Sequence, residues 1–587
     1  MVQRVYLVFK THLDIGFTDL GSSIVDKYLH SFIPNAIKRG YEMKNTKTPY
    51  VWTTGSWLIW EALKTDDGTL NGAIRDGIVT WHAMPFTTFT EAMSPELMKY
   101  ALSLSEEFDR RYGRHTRAAK MTDVPGHTIG LVPYFARQGI SFLHLGINTA
   151  YPLPDLPPIF RWKNGKDEVI IAYNKGYGAD MVIGDFALTF GFTGDNLGPH
   201  SREQIEEIYA SVRGRYPGAK IIAGTLDDVA IELDRVKDTL PVITQEIGDP
   251  WIQNVGTDPQ KVSRYKALLR YIAENGITSD ISDSLLVVPE HTWGGDVKVF
   301  WPDYVHYTVS ELAETVNDPG RKRLEESWEE KRRLLDAAEN ALGVEKETVT
   351  SPDLNGFLPT KVPDTDFEVS CQLFDTEDYK RFFQKCLTYA CVPNAAPLWA
   401  AMDNSKFGLP KYNGGIFTAK VTCAYRRENE TWLELHFDEE TERIHGLPVI
   451  WAKRTEKEFH LITIGQKANR LPQALWLKFT GLREKWEICK LGQWINTDAC
   501  YQPLLMATSY GVRNPDWEIE MVDSLLAAPH GRHMLDRAGT PLQEDMYFNL
   551  YNNVWGCNQP MWTEGNAQYR FRFTPRDSST QVRRSDS

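Results

Sequence analysis

The stretch from Val5 to Thr18, VYLVFKTHLDIGFT, restricts more than any other what this chain can become. Its first part, Val5 to Phe9, is uniformly apolar, the pattern of a strand buried on both faces. His12 and Asp14 follow at once. In extended chain alternate side chains share a face, so an imidazole and a carboxylate two residues apart point the same way at the strand's C-terminal end. That is half of a metal site or, more plainly, a hydrogen-bonded pair closing a strand. Gly16 lets the chain turn away, and Ser22 or Ser23 stands where it would cap a helix over Ile24–Met43.

The same alternation of short apolar runs with helical patterns continues for 300 residues. Strands are predicted at Arg4–Phe9, Tyr50–Thr53, Ile78–Trp81, Ala118–Met121, Ser141–Leu145, Val169–Ala172, Lys220–Ala223, Val242–Thr244 and Leu285–Val288. Between them lie amphipathic segments such as Pro95–Tyr112, with Leu97, Ala101, Leu104 and Phe108 at helical spacing, and Arg202–Tyr216. This order implies a mainly parallel sheet covered by helices, open or closed as a barrel, with function at the C-terminal strand ends. Pro259–Asn275 and Val309–Leu342 read as helices, and a small helical region is placed at 301–350. Residues 351–587 turn to alternating runs, as in Thr418–Tyr425, Thr431–Phe437, Phe459–Ile464 and Tyr569–Phe573, and read as β-rich, antiparallel domain material.

A chain of 587 residues needs more than one core, so the expected division is 1–300, 301–350 and 351–587. The net charge of -13 and the lack of a dense Lys/Arg run argue against nucleic acid as a partner. No run of about 18 apolar residues suggests a membrane span, and the first residues enter a strand without a charged, then apolar, leader. A soluble cytoplasmic protein is expected, with a homo-oligomer possible. The 7 cysteines are widely spaced in the C-terminal part and suit buried thiols better than a disulfide framework or a thiolate zinc site.

Two further strand ends repeat the combination found at the first. Thr122-Asp123-Val124-Pro125-Gly126-His127 follows one, and Pro289-Glu290-His291-Thr292-Trp293-Gly294-Gly295-Asp296 follows another. His12, Asp14, Asp123 and His291 together make a set of two nitrogens and two oxygens that suits zinc better than calcium, which takes more oxygens.

With these motifs in this order, the chain resembles glycoside hydrolase family 38, the zinc-dependent retaining α-mannosidases, as a divergent branch. Thr11-His12-Leu13-Asp14 matches the family's His-x-Asp motif, Tyr50-Val51-Trp52-Thr53 its Trp-bearing strand, and Asp123-Val124-Pro125-Gly126-His127 its Asp motif with the same Gly-His ending. Ile129–Gly139 and Phe160–Gly165 also read like family segments. The resemblance implies a catalytic α/β barrel of the seven-stranded type, then a helical region and a β-rich, sandwich-like C-terminal part. It implies Zn2+ held by His12, Asp14, Asp123 and His291, with Asp123 also the nucleophile. A retaining glycosidase needs a second carboxyl group as acid/base. Gln245-Glu246-Ile247-Gly248-Asp249-Pro250-Trp251 resembles the family's acidic, Trp-containing loop, which makes Asp249 the first choice for that role and Glu246 the second. Trp251 would stack on a sugar, and His82, Glu91, His127 and Asp296 are candidate substrate contacts or polar groups satisfied within their own loops. Ile15-Gly16-Phe17 stands where the family has Pro-Gly-Trp, a departure close to the sugar-contacting shell.

The expected activity is therefore zinc-dependent hydrolysis of terminal α-glycosides, α-mannosides first, with retention through a glycosyl-Asp123 intermediate and an oligosaccharide or glycoside as substrate. Two alternatives stay open: a metal-dependent polysaccharide deacetylase, and a carbohydrate-binding relative without catalysis.

Overall fold

A computed structural model describes residues 1–178, 180–344, 346–386, 398–482, 485–501, 505–535 and 545–576. The chain divides into two compact units, one made of 1–90, 97–247 and 289–292, the other of 91–96, 248–288 and 293–587.

The first unit is α/β. Its strands are β1 (Arg4–His12), β2 (Trp52–Gly55), β3 (Val79–His82), β4 (Ala118–Asp123), β5 (Phe142–Ile147), β6 (Ile159–Asn164), β7 (Asp167–Lys175), β8 (Met181–Ile183), β9 (Phe186–Asp195), β10 (Lys220–Ala223) and β11 (Val242–Ile243). A 6-stranded sheet runs β3-β2-β1-β9-β8, with β10 also on β1, and a 5-stranded sheet runs β11-β6-β7-β5-β4. β1 is central because its apolar run is buried on both faces, and it pairs in parallel with β2, β9 and β10. Gly191 on β9 makes that pairing possible: a Cβ there would stand 2.3 Å from the Phe9 ring.

The expected closed barrel is not what the described strands form; they make two open, mixed sheets. β3 has only four residues, and beyond it the seam to β4 carries a backbone hydrogen bond from Ala83 N to Ala118 O, 2.9 Å. Pro85, just after, has no N–H to extend a ladder. β6 and β8 run antiparallel to β7 and β9; β6 covers the family-like strand-turn at Phe160–Gly165, while β8 carried no periodic signal. Leu285–Val288, expected as a strand, belongs to a helix, Ser279–Val287. A short apolar run fits a buried helix as well as a strand, and here the helix prevails.

The segment expected as a helix over Ile24–Met43 starts earlier, at Gly21, with Leu20 before it and no side-chain cap, so Ser22 and Ser23 lie inside the helix. It is interrupted by a π-turn, Tyr28–Phe32, before Ile33–Met43. The interruption carries Tyr28 inward, where its hydroxyl lies 3.0 Å from Thr11 Oγ1 and donates to the His12 carbonyl at 3.1 Å. Pro95–Tyr112 is a helix over the span its periodicity predicts, though its first two residues fall in the second unit.

The second unit combines helices with two antiparallel sheets. Pro259–Asn275 is one helix, while Val309–Leu342 is two, Val309–Glu314 and Pro319–Leu342, because Asp318 caps the second and Pro319 opens it. Arg264 ties the first of these to the last by donating to Glu339 and Asp336. A 10-stranded and a 6-stranded sheet follow, sharing an aromatic core in which Phe479 lies 5.0 Å from Phe459 and 5.5 Å from Phe571 between ring centroids. Cys371 and Cys489 are buried free thiols, while Cys423, Cys500 and Cys557 are free but only partly buried, short of the burial expected; Cys391 lies outside the described residues. Among the described residues no helix is long and apolar enough to cross a membrane.

The Gly191 contact gives a direct test. Gly191→Ala should destabilise the protein by about 1–3 kcal/mol through overpacking against Phe9. Thermal unfolding should show a lowered midpoint, largely restored in Gly191→Ala/Phe9→Leu, where the ring is gone.

Candidate metal centre and active site

Four side chains from three separate segments of the first unit come together. His12 ends β1, Asp14 follows it, Asp123 ends β4, and His291 sits in Pro289–Thr292. Each offers a ligand atom, and the four atoms all lie within 4.8 Å of one another. Asp14 Oδ1 is 3.1 Å from His12 Nε2 and 3.0 Å from His291 Nε2, and His291 Nε2 is 3.5 Å from Asp123 Oδ2. Donors bound at about 2.0–2.1 Å around one tetrahedral ion stand roughly 3.3 Å apart, so these spacings match a shared divalent ion. Both Nε2 atoms are buried, make no hydrogen bond of regular geometry, and face Asp14 Oδ1, the arrangement of groups that would share an ion. The residues thus fit a metal ion, and the nitrogen and oxygen donors fit zinc chemically.

The four side chains are not equally exposed. The side chains of His291, His12 and Asp14 are 1%, 3% and 5% exposed, against 16% for Asp123. Burial disfavours the charged form of Asp14, yet His12 and His291 beside it outweigh that and hold its carboxyl below the usual range. Burial likewise opposes ionisation of Asp123, and contact with His291 together with nearby His12 overcomes both that and repulsion from Asp14. For His291 burial favours the neutral ring, while Glu290, Asp123 and Asp14 push its pKa well upward.

Polar neighbours fix each ligand. Asn196, in the left-handed region at φ 53°, accepts from Asp14 N at 3.0 Å and donates back to Asp14 O at 3.1 Å. Asp123 is also left-handed, at φ 81°, which swings its carboxylate off the regular strand alternation. Its Oδ1 accepts from Asn148 Nδ2 at 2.8 Å and from the Tyr177 hydroxyl. One oxygen therefore faces the cluster and the other is held by two donors. His12 Nδ1 lies 2.8 Å from Thr122 Oγ1, and His291 Nδ1 lies 2.8 Å from Glu290 Oε1.

The segment carrying His291 reaches the cluster without a preceding strand. Phe89 N and Thr88 Oγ1 donate to Pro289 O at 2.9 and 2.7 Å, and His291 N donates to Thr87 O at 3.3 Å.

The other candidate residues fall elsewhere. His127 is fully buried with Nδ1 3.2 Å from Thr90 Oγ1, and burial, aided by His291, pushes its pKa down to about 3. His82 belongs to a buried basic group with Lys10, Lys120 and His144; burial first, then the two lysines, lowers its pKa well below the ordinary value. Lys10 faces the Phe192 ring at 4.0 Å. Glu246, also in the first unit, accepts from Ile129 N at 2.7 Å and Thr128 Oγ1 at 3.2 Å.

Asp249, Trp251, Glu91 and Asp296 belong to the second unit. Asp249 Oδ1 accepts from Trp251 N at 2.8 Å, and Trp251 is half-buried. Glu91 forms a fully buried ion pair with Lys490 at 2.8 Å and accepts from Asp249 N at 3.1 Å and Ala507 N at 3.0 Å. Asp296 caps Val297–Phe300 and shares Lys298 with Asp403, next to Cys557. Asn148, Tyr177 and Asn196 carry no local sequence signature, and the one signal for Thr122 and Glu290 is that each adjoins a predicted ligand.

Comparison with known proteins agrees with this architecture. Residues 255–367 match a family model described as a domain of unknown function, DUF5054. No curated protein matches the sequence. Among solved structures, an α-mannosidase from Enterococcus faecalis V583 aligns with a TM-score of 0.57 and 10% identity, over 98% of this chain and 87% of that one. A protein in glycosyl hydrolase family 38 from Enterococcus faecalis aligns with a TM-score of 0.53 and 10% identity, over 98% of this chain and 86% of that one. At this identity the likeness shows a common fold.

Two outcomes follow. Added zinc should raise the unfolding midpoint of the intact protein, by about 2.7 kcal/mol of stabilisation at a hundredfold excess over Kd, and elemental analysis should find the ion lost in His12→Ala and in His291→Ala. His127, with a folded pKa of about 3 below its ordinary 6.5, must stay neutral when folded. The unfolded chain then binds more protons, so this contribution is present above pH 6.5 and is lost as pH falls toward 3. A His127→Gln variant that still folds should show a shallower acid slope in denaturation midpoints over that window.

Proposed function

We propose that this chain is a zinc-dependent retaining glycoside hydrolase acting on terminal α-glycosides, α-mannosides first, of an oligosaccharide or glycoside in the cytoplasm. The observation that carries the reading is the convergence of His12, Asp14, Asp123 and His291, with Asp123 the most exposed of the four. The fold held in common with an α-mannosidase and with a protein in glycosyl hydrolase family 38 supports it.

Bound zinc would supply a fixed positive charge that grips sugar hydroxyls and keeps the neighbouring carboxylates ionised. Asp123 is the nucleophile. Asn148 and Tyr177 hold its Oδ1 in one orientation. A carboxylate so held meets the anomeric carbon without first losing rotational freedom. Its oxygen forms a bond to that carbon as the glycosidic bond breaks, and the leaving oxygen takes a proton from a second carboxyl group. Water, deprotonated by that same group, then releases the sugar with retained configuration. Asp249 is assigned as this acid/base. Glu246 is second, a ranking that rests on the resemblance of Gln245–Trp251 to the family's acidic loop. Trp251 is assigned to sugar stacking.

The test is hydrolysis of chromogenic α-glycosides with and without chelator. Asp123→Asn should lose on the order of 10⁴-fold or more in kcat while retaining its fold. A 2-fluoro glycosyl donor should label the peptide containing Asp123 in the wild-type protein. Acetate release from acetylated oligosaccharides, with no labelling, would replace this reading with that of a deacetylase.

A further inference from the structure

Resting on the reading of the four side chains as metal ligands, we infer that Glu290 is the residue that sets how tightly the ion is held, and that the two imidazoles are unequal donors. Their outward nitrogens meet different chemistry. His291 Nδ1 lies 2.8 Å from a carboxylate, in an ion-pair contact that is not a straight hydrogen bond, and Glu290 is fully buried. His12 Nδ1 meets only the hydroxyl of Thr122, and the Lys120 amine donates to that same oxygen at 3.3 Å. A carboxylate beside one ring nitrogen keeps the proton there and raises the electron density of the other, while a hydroxyl already engaged by an amine does neither strongly.

Glu290 also joins two ligand-bearing segments. Oε1 accepts from Ile15 N at 3.4 Å and from the Thr292 hydroxyl at 2.9 Å, and Oε2 accepts from Thr292 N at 3.1 Å. Ile15 follows Asp14 and Thr292 follows His291, so one buried carboxylate fixes the spacing of two ligands far apart in sequence. It is a positioning residue: its carboxylate is not one of the four ligand groups.

The experiment compares full-length wild type with Glu290→Gln, Thr122→Val and Thr292→Val. Zinc affinity is read by competition with a chromogenic chelator, and the visible absorption of the cobalt(II) form reports the ligand field. Glu290→Gln should weaken zinc tenfold to a hundredfold and shift the cobalt bands. Thr122→Val should weaken it several-fold less. Thr292→Val removes one bond to Glu290 but keeps the carboxylate, and should leave affinity within about threefold and the bands unmoved. The inference is overturned if Glu290→Gln binds zinc like wild type, if Thr122→Val costs as much, or if Thr292→Val reproduces the loss, which would mark loop collapse. Wild-type protein that binds neither ion would overturn the metal reading itself, a result visible before any variant is compared.

Discussion

The first unit depends on keeping Asp14 between two imidazoles in a dry interior. Three lone-pair-bearing groups converge there, and Asp123 adds a fourth; without a cation or shared protons among them such an arrangement repels itself. The surrounding fold supplies the countervailing order. β1 delivers His12 and Asp14 from a strand with no freedom to slide, because it is buried on both faces and paired along most of its length. Tyr28 fastens the end of that strand from a π-turn, and Asn196 clamps the loop beyond it.

Binding and packing serve each other here. Glu290 could not be buried at so low a cost without the backbone and hydroxyl donors that surround it, and those donors belong to the segments that carry ligands. The basic group of Lys10, Lys120, His82 and His144 is buried on β1, β4, β3 and β5, where apolar side chains are the commoner occupants. Aromatic rings around Lys10 offset part of that burden.

How far the sequence could be read depended on where the signal was local. His12, Asp14 and Asp123 were legible because apolar strands announce their own ends. His291 was legible by residue type but for a mistaken reason: the run before it is helix, and the histidine is delivered by its own donation to Thr87 and by donors from Thr88 and Phe89 to Pro289, residues about 200 positions earlier, which no local pattern reveals. Pro259–Asn275 and Pro95–Tyr112 were visible to the residue from periodicity and proline, and β6 through the family-like strand-turn at Phe160–Gly165, whereas β8 and β9 had no signal that was read. Alternation with helices allowed an open sheet or a closed barrel alike, and closure was expected from the resemblance; whether a ladder closes depends on the lengths of single strands, which alternation does not report. Tyr177, Asn148 and Asn196 come from loops, where sequence carries composition but not direction.

Asp123 occupies a backbone conformation that a glycine would accept freely and a branched side chain would resist. Holding it there stores about 1–2 kcal/mol that the folded chain must supply from elsewhere. A glycine at this position would relieve that torsion but take away the oxygen to which Asn148 and Tyr177 donate, so backbone ease and side-chain bonding pull this one residue in opposite directions.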